Sequence, residues 1–65
     1  MTDVKKYTVY ILEENKDLLN NIKDSLIATN NFTVIGTSDN ATSCLNYLSN
    51  NNCDLLIIDL MLNQH

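Results

Sequence analysis

Tyr7-Thr8-Val9-Tyr10-Ile11-Leu12-Glu13-Glu14 and Asp54-Leu55-Leu56-Ile57-Ile58-Asp59 are two apolar runs that each end in acid, and their reading decides the fold. Tyr7 to Leu12 are all β-branched, aromatic or apolar, and the Leu-Leu-Ile-Ile centre of the second run has no polar alternation. Both patterns predict strands buried on both faces, the second spanning Cys53 to Leu60. If the two strands run parallel, Glu13, Glu14 and Asp59 meet at one carboxyl edge, where open α/β folds place their ligands.

The residues between them fill in the rest. Asn15 offers a helix N-cap, and Leu18, Leu19, Ile22 and Leu26 recur at helical spacing opposite Lys16, Asp17, Asn20, Lys23 and Asp24. Asn30-Asn31 ends that helix. Phe32 to Gly36 reads as a second short strand, and Asp39 or Asn40 caps a second helix with the stripe Ala41, Cys44, Leu45 and Leu48. Asn50 to Asn52 terminates it. Strands alternating with helices imply parallel βαβ units. With right-handed crossovers and helices on opposite faces, the expected fold is α/β: a three-stranded parallel sheet of order 2-1-3 in a βαβαβ chain. That order places the three acids at the switch point between strands 1 and 3.

Composition removes several functions. Four lysines, no arginine and eight acids give a net charge of −4, so a phosphate-backbone footprint is absent and direct nucleic-acid contact is not expected. No apolar run approaches the ~20 residues of a membrane span, and no signal-type leader is visible, so a soluble, cytoplasmic protein is expected. The two cysteines, Cys44 and Cys53, lack zinc-type spacing and read as small thiols of a reducing compartment, not as a bridge. At 65 residues the chain is short for an α/β domain and marginal in stability.

Three carboxylates at close range repel one another unless a cation neutralises them. Magnesium suits such a site, because it takes oxygen ligands and is held by one or two carboxylates plus phosphate. An Asp beside the ion can act as nucleophile toward a phosphoryl group, and Asp59, which alone ends the third strand, is the candidate.

At these residues the chain resembles the receiver domain of two-component response regulators. Leu12-Glu13-Glu14-Asn15 stands where that family has an acidic pair, and Asp54 to Leu62 stands where it has the phosphoacceptor strand. Asn31 to Gly36 and Asn40 to Leu48 are similar to the intervening strand and helix, including those of sporulation-initiation regulators. The resemblance implies a flavodoxin-like fold and Asp59 as phosphoacceptor. It further implies Mg2+ held by Glu13, Glu14, Asp59 and the Met61 carbonyl, and a sensor histidine kinase or phosphotransfer protein as partner.

The sequence also departs from that family. Glu14 is one methylene longer than the usual Asp, and Asn63 replaces the usual proline. The sequence stops at His65, before the family's Asp-Gly and the later strands that bring a Ser or Thr and a Lys to the phosphoryl group. Residues 1–65 therefore read as a partial receiver ending just after strand 3, no independent enzyme, taking little or no phosphate in isolation. An uncovered strand 3 edge implies a homo-oligomer through that edge. A receiver-like interaction and dimerisation module that works without phosphorylation is the alternative function. A flavin-binding fragment is a third reading, disfavoured by the lack of a phosphate loop after the first strand. Glu13 and Glu14 also suit the first turn of a helix, and Asp39 and Asp54 read as cap or turn acids. Tyr7, Tyr10, Tyr47 and His65 carry no assigned chemistry.

Overall fold

A computed structural model describes residues 5–59. They form β1 (Tyr7–Glu13), α1 (Lys16–Ala28), β2 (Phe32–Ser38), α2 (Ala41–Asn50) and β3 (Leu55–Asp59). The three strands make one parallel sheet of order β2-β1-β3. This is the α/β arrangement expected from the sequence, with the helices on opposite faces.

β1 is the axis of the molecule. Val9, Ile11 and Glu13 are fully buried, and Tyr10 and Leu12 nearly so. Alternation sends Tyr10 and Leu12 toward α2, where they cluster with Cys44 and with the partly buried Tyr47, Leu48 and Cys53. Val9, Ile11 and Glu13 take the opposite face, which α1 covers.

The asparagines act at element ends. Asn15 Oδ1 accepts from Leu18 N at 3.0 Å, and Asn40 Oδ1 accepts from Ser43 N at 2.8 Å, so Asn40 and not Asp39 caps α2. Asn30, just past the Thr29 cap of α1, has φ of 63°, a left-handed conformation that asparagine tolerates better than most residues. Asn51 closes α2 by donating from Nδ2 to the Tyr47 carbonyl at 2.9 Å.

Three details differ from expectation. β2 runs to Ser38, two residues beyond Gly36, because Thr37 and Ser38 continue the ladder against Ile11 and Leu12. β3 begins at Leu55, two residues later than Cys53, because Asp54 is bound to Thr8 ahead of the strand; Leu60 lies outside the described residues. β3 is also not buried on both faces. Leu55 is 41% exposed and Ile58 54%, since the helices pack chiefly over β1 and β2 and, among the described residues, β3 has a strand neighbour only on its β1 side.

The single glycine is explained by the same packing. β2 carries a bulge at Ile35, so Val34 pairs with Val9 but Gly36 pairs with Tyr10. The Tyr10 ring lies across Gly36 and against Tyr47, with ring centroids 4.6 Å apart. A Cβ at Gly36 would stand 2.7 Å from Tyr10 Cε2 and 2.9 Å from Cδ2. Gly36 has no positive φ, so only space restricts it. Gly36→Ala is expected to destabilise by about 1–3 kcal/mol, the usual cost of overpacking. Chemical denaturation of Gly36→Ala, Tyr10→Val and the double variant checks this: the cost of Gly36→Ala should shrink once the ring is gone.

Candidate functional site

The carboxyl edge of the sheet is built by register. Glu13 is the last residue of β1 and pairs with Asp59, the last residue of β3. Residues paired in parallel strands share a face, and neighbouring strands lie about 4.8 Å apart. Glu13 and Asp59 are thus side by side on the face opposite α2.

Their environments are unequal. Glu13 sits in the central strand and is wholly buried, whereas Asp59, on the border strand, is exposed. One carboxylate oxygen of Glu13, Oε2, accepts from Asn15 N at 2.9 Å and ties the strand end to the start of α1. The other, Oε1, is buried with no hydrogen-bond partner. Buried polar atoms are satisfied in the great majority of cases, so a carboxylate oxygen left open at a strand's carboxyl end is suited to a cation.

Of the remaining expected ligands, Glu14 follows directly after β1 with an exposed side chain. Met61, Asn63 and His65 lie outside the described residues. Among the described residues, no group of three His, Cys, Asp or Glu side chains converges closely enough to hold a metal ion. The fold therefore brings Glu13 and Asp59 together in register, without a third carboxylate converging on them among the described residues. Cys44 and Cys53 are both free thiols, the first buried and the second half-buried.

A polar constellation at the opposite end of the sheet was not visible in the sequence. Asp54 Oδ2 accepts from Thr8 N at 2.8 Å and from Thr8 Oγ1 at 3.1 Å. In return Asp54 N donates to the Thr8 carbonyl at 3.0 Å and to Thr8 Oγ1 at 2.9 Å. This reciprocal clasp sets where β3 begins against β1. It makes Asp54 a strand-positioning residue, in keeping with a turn acid. Only the pairing of a hydroxyl in one strand with an acid before another hinted at it, and nothing local links residues 46 apart.

No family model and no solved structure matches this chain, and no helix among the described residues is long and apolar enough to cross a membrane.

The Thr8 amide, then the Thr8 hydroxyl, hold the Asp54 carboxyl below its ordinary value against the opposing effect of desolvation, with Lys5 adding least. A lowered native pKa contributes stability that is present above the unfolded-state pKa and lost as pH falls through the native one. Asp54→Asn should accordingly be less stable than the wild type at neutral pH. The gap should close progressively below about pH 4, the ordinary range of an Asp carboxyl. Urea titrations of both proteins from pH 7 to pH 2.5 check it, and a gap that persists unchanged in acid contradicts this role.

Proposed function

We propose that this chain is the amino-terminal part of a receiver-type phosphoacceptor module of two-component signalling, in which Asp59 accepts a phosphoryl group with Mg2+ in the intact protein. The observation that carries this reading is the pairing of Glu13 with Asp59. A buried carboxylate with one unsatisfied oxygen lies in register and on the same face as an exposed carboxylate, at the switch point of a 2-1-3 sheet.

The division of roles follows from the difference in exposure. Asp59 is reachable by a large donor, which a nucleophile must be. One of its oxygens attacks phosphorus as the donor's bond to phosphorus breaks, leaving an acyl phosphate on Asp59. Glu13, with Glu14 and the Met61 carbonyl, would hold the ion, which offsets negative charge on the transferring oxygens. Asn15 N keeps Glu13 oriented. The donor in this reading is a sensor histidine kinase or phosphotransfer protein. Asp59 acts as an acceptor and not as the centre of an enzyme that turns over substrate. Such modules work in the cytoplasm, and two free thiols accord with a reducing compartment.

A specific observation favours a second reading. The full set of metal-binding side chains does not converge among the described residues, and Glu14 is longer than the Asp of the family. A receiver-like interaction module that works without phosphorylation needs no convergence.

One experiment separates the two. The intact protein is incubated with Mg2+ and a small phosphoryl donor, and its mass is measured. A base-labile gain of one phosphoryl group, absent in Asp59→Asn and weakened in Glu13→Gln, is the expected outcome. No gain at any Mg2+ concentration, with both variants as stable as the wild type, assigns the chain to the second reading.

A further inference from the structure

The side chains of β3 say little about where along β1 the strand should lie. Leu55, Leu56, Ile57 and Ile58 give both faces the same character, so a slip of one residue exchanges one aliphatic pair for another. Pattern fixes register where polar and apolar residues alternate, and this run has no alternation. The carboxyl end of the strand does not help. The observed register sets Asp59 beside Glu13, and two carboxylates directly opposite each other repel unless a cation lies between them. The register that assembles the acidic edge must be held from elsewhere.

The amino end of β3 supplies the hold. Asp54 Oδ2 accepts from the Thr8 amide and hydroxyl, while Asp54 N donates to the Thr8 carbonyl and hydroxyl oxygens. Lys5 adds a favourable charge to the same carboxylate. Slipping β3 one way would set Asp54 beside the fully buried Val9, against the cost of desolvating a carboxylate. Slipping it the other way would set Asp54 beside the exposed Tyr7 and Leu55 beside Thr8, and what is forfeited is the clasp. Asp59 would then stand beside Leu12, turned to the α2 face and away from Glu13.

We propose that the Thr8–Asp54 clasp is what holds Asp59 opposite Glu13, so that Thr8 and Asp54 are positioning residues for the acidic edge at the far end of the strand. The register itself does not depend on phosphate, whereas the consequence for labelling rests on the reading of Asp59 as phosphoacceptor.

Three variants of the intact protein test this. Thr8→Val keeps a β-branched side chain and removes the hydroxyl, Asp54→Ala removes the carboxylate, and Thr8→Ser keeps the hydroxyl as a rescue. Interstrand nuclear Overhauser effects should join Glu13 to Asp59 and Val9 to Leu55 in the wild type and Thr8→Ser. In Thr8→Val and Asp54→Ala they should be replaced, in part or wholly, by contacts of Asp59 with Leu12 and of Leu55 with Thr8, while circular dichroism stays that of the wild type. With Mg2+ and a small phosphoryl donor, the initial rate of labelling at Asp59 should fall roughly tenfold or more in those two and stay within about twofold in Thr8→Ser, as expected for a misplaced nucleophile. Wild-type contacts in both Thr8→Val and Asp54→Ala overturn the proposal. So does an altered register with labelling unchanged. Altered contacts in those variants, with no labelling of any protein including the wild type, uphold the clasp and overturn the phosphoacceptor reading instead.

Discussion

Every element of this molecule is held by its relation to β1. Among the described residues it is the one strand with a neighbour on each side, and apart from Cys44 it supplies all the buried residues: Val9, Tyr10, Ile11, Leu12 and Glu13. α1 buries no residue completely and α2 buries only Cys44, so the helices rest on the sheet more than they interlock with it. A chain of this size removes a modest share of its surface from water. Nearly all the close packing is spent around five consecutive residues.

The same constraint shapes the acidic edge. Glu13 owes its burial to being the last residue of the central strand, and Asp59 owes its exposure to being the last residue of a border strand. Two carboxylates of similar chemistry are thereby given different environments by position alone. Burial fixes one and leaves an oxygen unsatisfied, while the other stays open to a partner. This asymmetry, more than the presence of acids, is what makes the edge a candidate site.

The elements that were legible in the sequence are those with local signals. Tyr7 to Leu12 showed a buried strand because every residue in it is β-branched or apolar, and Asn15 and Asn40 showed helix starts because a side-chain oxygen beside an apolar stripe has a defined task. The strand order followed from handedness once the helices were taken to lie on opposite faces. What could not be read depended on distant partners. The Thr8–Asp54 clasp joins residues far apart in sequence, and the contact of Tyr10 with Gly36 depends on a bulge that no local pattern announces. The apolar run of β3 was misread as doubly buried, since hydrophobicity states what a strand prefers and not what covers it. The acids were legible as a group, but their convergence on an ion depends on side-chain reach, which spacing does not give.

The bulge in β2 has a consequence for how length variation would be tolerated here. Val34 and Gly36 are partnered across the ladder by consecutive residues, Val9 and Tyr10, so Ile35 is one residue more than the ladder requires. Its carbonyl accepts from the Tyr47 hydroxyl at 3.4 Å, so the surplus residue is stitched to α2. Deleting Ile35 would keep every other strand partner as it is and lose that stitch, and deleting Val34 would let Ile35 take its place opposite Val9, whereas deleting Gly36 would carry a bulky side chain onto the Tyr10 ring. In a sheet where a one-residue slip turns each side chain to the wrong face, this strand can shorten by one residue at the bulge without changing the code of inside and outside.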